Sequence, residues 1–267
     1  MQINAQTRRA THSAFTLVEL LVVIAVIALL IALTLPVVNR TIERGRMVDC
    51  LSKLRQIAAA SISYADDNRY RMPHPNWGVQ SQGWLYTQPI QQVLGNQPAP
   101  NATEPQFQGP STGTLWTYLG GERNQLNAAI ADVYRCPSHN SFEENTTELI
   151  TSFIFNGSLS NYRAAQTVAF RIDQFRPDAI FAWEAQTRED RNRDDEIPNI
   201  GDSWNDGGSQ PLEGLTTRHA QGATTAAIDG SSAWIKQEDW LRWQQETPGK
   251  LWNVPQTGTT NPRFINN

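Results

Sequence analysis

Residues 13–38 read SAFTLVELLVVIAVIALLIALTLPVV, and this stretch decides the fold. Between Phe15 and Leu35 only Thr16, Glu19 and Thr34 interrupt an apolar run. About 20 such residues suffice for a helix to cross the hydrocarbon core of a bilayer. A carboxylate inside that run is expensive to insert, so Glu19 asks for a specific partner. A cleaved secretory signal has a shorter apolar core and ends in small residues of A-x-A type. Here the run ends at Pro36-Val37-Val38, with no cysteine close by for lipoprotein processing. A plain signal anchor is the simplest alternative, but it gives Glu19 no purpose.

Outward from this run the helical pattern continues. Apolar or small residues recur at Met47, Leu51, Leu54, Ala58, Ile62 and Ala65, at intervals of three and four, while Arg44, Lys53, Arg55 and Gln56 take the outer face. The spacing predicts one long helix from about Phe15 to about Asp67, bent near Pro36 and loosened at Gly45. Asp66-Asp67-Asn68 and Pro73 mark its end. Beyond it there is length for one globular domain of about 200 residues. A net charge of −4 argues against nucleic-acid binding through a basic face. Nine tryptophans imply scattered aromatic anchors, with Trp77, Trp84 and Trp116 as packing candidates. Residues 73–112 read mostly as ordered loop, and TLWTYLG (114–120) as a helical turn or a short strand. Cys50 and Cys136 are too few for a disulfide-rich scaffold and show no metal-ligand spacing. Residues 186–214 carry Glu189, Asp190, Asp194, Asp195, Glu196, Asp202 and Asp206 among glycines and prolines. Two readings stay open there, a solvated loop or a calcium site built from some of these oxygens. The spacing matches no EF-hand, so no ligand is assigned.

Near the C-terminus, RHAQGATTAAIDGSSAWI (218–235) places His219 ten positions before Asp229-Gly230. Ala223–Ile228 and Ser231–Ile235 are short β-prone runs, and Asp-Gly between such runs signals a hairpin. A His–Asp pair can do general acid–base work, but no nucleophile motif such as G-x-S-x-G stands beside it. The structural reading has His219 hydrogen-bonding the strand edge and Asp229-Gly230 making the turn. A metal or ligand role is the sharper alternative.

SAFTLVEL (13–20) resembles the processing site of type IV prepilins and type II secretion pseudopilins. The resemblance implies cleavage between Ala14 and Phe15 by prepilin peptidase, and N-methylation of Phe15. Glu19 then falls at the fifth mature position, and Pro36 where many members carry a helix-bending proline. Ala14 stands where the family usually has glycine. Further segments, CLSKLRQIAAASISYADDN (50–68), YRCPS (134–138) and the His219…Asp229-Gly230 spacing, resemble the H-x9-DG group of prepilin-like proteins, found in planctomycetes and related bacteria.

The fold implied is α+β and pilin-like: a long N-terminal transmembrane and amphipathic helix packed on a C-terminal antiparallel sheet domain with long loops. The domains are then a cleaved leader at 1–14, a membrane and assembly half-helix at 15–38, an amphipathic half-helix at 39–68, and an extracytoplasmic domain at 69–267. Cleavage frees an α-amine on Phe15, with a reference pKa of about 7.7–8.0. That amine can pair with Glu19 of a neighbouring subunit inside an apolar bundle and fix its register. The implied protein is not an enzyme. It is a structural subunit of a pilus-like filament or a secretion pseudopilus, and needs no cofactor, calcium aside. Its partners are the peptidase, other pilin or pseudopilin subunits, the inner membrane and the assembly platform. Arg8 and Arg9 before the span compete with Arg40, Arg44 and Arg46 after it, so charge alone leaves topology ambiguous. The resemblance implies a cytoplasmic leader and a domain outside the inner membrane. In that oxidising compartment Cys50 and Cys136 either form a disulfide or remain two buried thiols. A bridge across a loop of roughly 85 residues contributes on the order of 4 kcal/mol. Two competing functions remain: a membrane-anchored binding module that forms no filament, and an anchored enzyme using His219 and Asp229.

Overall fold

α1 (Leu17–Asp67) is one unbroken helix of 51 residues, roughly 75 Å long. The computed structural model in which it was traced describes residues 17–76, 83–86, 109–123, 125, 127–139, 151–162, 168–186 and 207–255. Pro36 lies inside the helix, where its missing N–H leaves the Ala32 carbonyl without the usual donor. On either side, the Thr34 hydroxyl donates to the Ile31 carbonyl at 3.1 Å and the Thr41 hydroxyl to the Val37 carbonyl at 2.9 Å. The chain divides into two compact units, Met1–Glu43 and Arg44–Asn267.

In the first unit every described side chain from Leu17 to Val38 is exposed. Leu17, Leu29, Leu33 and Val37 each leave more than half their surface open. Water does not tolerate so continuous an apolar surface, so this helix is built for lipid or for other helices.

In the second unit α1 buries one stripe: Cys50, Lys53, Leu54, Ile57, Ala58, Ser61 and Ala65. The three-and-four spacing is the expected one, but the stripe is rotated. Met47, Leu51 and Ile62 are half-buried at its margin, and Lys53 is inside rather than on the outer face. Its ammonium is 2.9 Å from Asp49 and 2.9 Å from Asp132, and donates to the Arg135 carbonyl at 3.0 Å. The aliphatic stem is covered while the charge finds three acceptors, which is how a lysine can join an apolar stripe. α1 stops where Arg69 and Tyr70 turn left-handed, with φ of 59° and 60°.

The five strands are β1 (Phe153–Asn156), β2 (Ile180–Glu184), β3 (Gly208–Ser209), β4 (Gly222–Ala227) and β5 (Ser232–Lys236), in the order β3-β1-β2-β4-β5. Two short helices, α2 (Ala128–Val133) and α3 (Gln237–Trp243), complete the regular elements. Four strands pair antiparallel, but β3 pairs parallel with β1, so the sheet is mixed rather than wholly antiparallel. A parallel neighbour needs a long connection, and the chain from the end of β1 at Asn156 to the start of β3 at Gly208, which includes β2, has the length for one. The architecture is α+β and pilin-like, a long N-terminal helix followed by a C-terminal sheet.

Both faces of the sheet are covered. On one, Phe153, Phe155 and Phe181 share a core with Leu54 and Ile57 of α1 and with Trp84, Trp116 and Tyr134. Trp84 stacks on Phe155 with ring centroids 4.1 Å apart. On the other, Ile154, Trp183 and Ile235 pack with Trp240 of α3 and with Leu251 and Trp252. Trp84 and Trp116 are thus the anchors expected, while Trp77 lies outside the described residues. TLWTYLG forms turns, one of them helical in its Leu119 N–H to Leu115 carbonyl bond of 3.0 Å. The shift in β2 pairing between Ile180 and Ala182 breaks the simple alternation of faces. It leaves Ala182 and Glu184 on the α1 side of the sheet.

Candidate functional site

Two regions carry residues that packing alone does not explain. The first is the start of α1. Ala14 and Phe15 lie outside the described residues. Glu19 lies near the start of the described part of α1. Around it Leu17, Val18, Leu20 and Leu21 present exposed apolar surface. Pro36 is helical, in the same apolar run.

The second region is buried in the domain. Cys50 of α1, Cys136 three residues past α2, Glu184 at the end of β2 and His219 just before β4 converge. One ligand-type atom from each lies within 4.8 Å of all the others. The two sulfurs are 2.8 Å apart and unbonded. The Nε2 of His219 lies 3.3 Å from Cys136 Sγ and 3.2 Å from Glu184 Oε1. The second carboxylate oxygen, Oε2, accepts from the backbone N–H and the hydroxyl of Thr224, both at 2.8 Å. Arg218, also buried, donates to the Ala185 carbonyl at 3.2 Å. Behind Cys136, the Ser152 hydroxyl oxygen accepts from the Cys136 N–H at 2.8 Å and lies 2.9 Å from His139 Nδ1.

Electrostatics follow from these contacts. Burial by itself raises the Glu184 pKa, but the His219 hydrogen bond and the charges of His219 and Arg218 outweigh it and hold the carboxyl at about 2. Burial by itself lowers the His219 pKa, yet the bonds to Cys136 and Glu184 push it up to about 10. The hydrogen bond to Cys136, followed by burial, pushes the Cys50 thiol up. The same bond, now favouring the thiolate, pulls Cys136 down.

Of the residues marked by sequence, the structure brings Cys50, Cys136 and His219 together. It does not bring His219 to Asp229. His219 is buried, Asp229 is exposed, and β4 lies between them, roughly 20 Å of extended chain. Asp229 accepts the Ser231 N–H at 2.9 Å, and Gly230 takes a φ of 84° in the turn between β4 and β5. Glu184 escaped sequence reading. Its one signal is a carboxylate closing an otherwise apolar run, IFAWE (180–184), all five residues of which are buried. The acidic residues Glu189 to Asp206, weighed for calcium, lie outside the described residues.

A long N-terminal apolar helix followed by a mixed sheet is a pilin-like arrangement. Residues 9–35 match the family model described as the prokaryotic N-terminal methylation motif. No curated protein and no solved structure matched the chain. The chain thus carries a prepilin-type N-terminus, which implies processing by prepilin peptidase, assembly with other pilin subunits and anchoring in a membrane. Proteins with this motif are structural subunits rather than enzymes.

Proposed function

We propose that the protein is a structural subunit of a type IV pilus-like filament or a type II secretion pseudopilus, of the H-x9-DG kind. Cleavage falls between Ala14 and Phe15, Phe15 is methylated, and α1 is the assembly element. The domain from residue 69 onward then faces outward from the inner membrane. The observation that carries this reading is the methylation motif at residues 9–35 leading into an exposed apolar helix with Glu19 near the start of its described part. Glu19 then pairs with the Phe15 amine of the next subunit. Each charge offsets part of the other's burial cost, and the pair sets the axial stagger of the helices.

The N-terminus tests this directly. Mass spectrometry of the chain from cells containing prepilin peptidase should find N-methylphenylalanine at position 15. An intact Met1, or an unmodified Phe15 formed without the peptidase, would overturn the reading. Glu19→Ala separates insertion from assembly. Removing one partner of a buried ion pair costs about 3–5 kcal/mol, a hundredfold or more in subunit addition. The variant should reach the membrane normally and fail to enter sheared filaments or subunit cross-links. Normal assembly of Glu19→Ala would favour a membrane-anchored module instead.

A further inference from the structure

His219 Nε2 lies close to two groups at once, the Cys136 sulfur at 3.3 Å and the Glu184 oxygen at 3.2 Å. One ring nitrogen carries at most one proton, so it cannot give both a well-aligned hydrogen bond. Cys50 closes the group from the helix side, its sulfur 2.8 Å from that of Cys136. All four residues are buried. Two sulfurs, an imidazole nitrogen and a carboxylate oxygen, all buried and all within 4.8 Å of one another, are a donor set that a metal ion can take with four protein ligands. We propose that Cys50, Cys136, His219 and Glu184 form a closed four-coordinate Zn2+ site that fastens α1 to the sheet.

The donor set selects the metal class. Thiolate with imidazole in a four-ligand cage favours zinc over calcium or magnesium, which take oxygen. In a tetrahedron with bonds of about 2.0–2.3 Å, neighbouring ligand atoms stand roughly 3.3–3.8 Å apart. The nitrogen–sulfur separation of 3.3 Å and the nitrogen–oxygen separation of 3.2 Å lie at or just below that range, the sulfurs need to part by about 1 Å, and any pair near the 4.8 Å bound needs to close by a similar amount. Charge balance supports the assignment. Two thiolates and one carboxylate are three negative charges. A divalent ion supplies two positive charges, and Arg218, which acts on Cys50, Cys136 and Glu184, supplies the third. Outer contacts are also in place, since Thr224 holds Glu184 through two bonds and Ser152 holds the Cys136 backbone. Uptake releases protons to solvent from the thiols and from His219 Nε2, with no change of oxidation state. With all four positions filled by protein, the role is structural. The proposal does not depend on filament assembly.

Metal analysis of the full-length chain, extracted in detergent without chelator, tests it. The expected result is one zinc per chain, with both thiols resisting alkylation until a strong chelator is added. Replacement by Co2+ should give thiolate-to-cobalt charge-transfer absorption and tetrahedral d–d bands. Cys136→Ser and His219→Gln should each lose the metal, and the wild-type readings decide the matter should either variant fold poorly. A Cys50–Cys136 disulfide in the isolated chain would overturn the site. So would free, readily alkylated thiols with no zinc retained, or zinc held undiminished by both variants.

Discussion

His139 shows how a single buried residue sets a pH dependence. Burial, and then the nearby Arg218 charge, push its pKa down to about 2. In the unfolded chain the same imidazole takes a proton near pH 6.5. Below that pH the unfolded state binds a proton that the folded state refuses, so stability falls as pH drops. The slope is at most about 1.4 kcal/mol per pH unit, and the window from roughly pH 6.5 to 4.5 lies above the range where carboxylates contribute. His139→Asn keeps a polar group facing Ser152 and removes the titration. Denaturant unfolding at pH 6.5 and at pH 5 should show a smaller difference for the variant than for the parent. An unchanged difference would mean that His139 is not held neutral.

Among the elements, the β4–β5 hairpin is tightly constrained at Gly222. A Cβ on Gly222 would sit 2.1 Å from the Ile235 carbonyl oxygen and 2.8 Å from the Trp234 ring. The Trp234 indole N–H donates to the His219 carbonyl at 2.7 Å, so the crowding reaches the residue that turns into the buried cluster. Gly222→Ala should destabilise the domain by about 1–3 kcal/mol, read as a lowered unfolding midpoint in detergent. Gly45 in α1 is the control, since a Cβ there meets nothing within 4 Å. Alanine at Gly45 should be neutral or stabilising by about 0.5–1 kcal/mol. Equal effects at the two positions would contradict the packing described for the hairpin.

For the whole molecule, the contrast between the two units is decisive. Unit 44–267 has two cores on the two faces of its sheet. Unit 1–43 exposes Leu17 through Val38 along one helix. About 20 apolar helical residues span the roughly 30 Å hydrocarbon layer. The chain should therefore stay with membranes through an alkaline carbonate wash and leave them only in detergent. Release by carbonate alone would argue for a peripheral attachment.

The sequence by itself determined the local, periodic features. The apolar run, the three-and-four spacing of α1 and the Asp229-Gly230 turn each depend on neighbours a few residues away. Even there the buried face of α1 is rotated from the one its sequence pattern indicates, because Lys53 looks solvent-bound until Asp49, Asp132 and the Arg135 carbonyl surround its ammonium. The parallel placement of β3 and the meeting of Cys50, Cys136, Glu184 and His219 belong to tertiary structure alone. No local spacing links those four positions, and Glu184 reads as the end of an ordinary strand. Only the packing of α1 against the sheet, and the pairing of β2 with β4, puts their polar atoms within 4.8 Å of one another. Long-range contacts of that kind leave no period in the chain, so the membrane helix was legible in the sequence and the buried cluster was not.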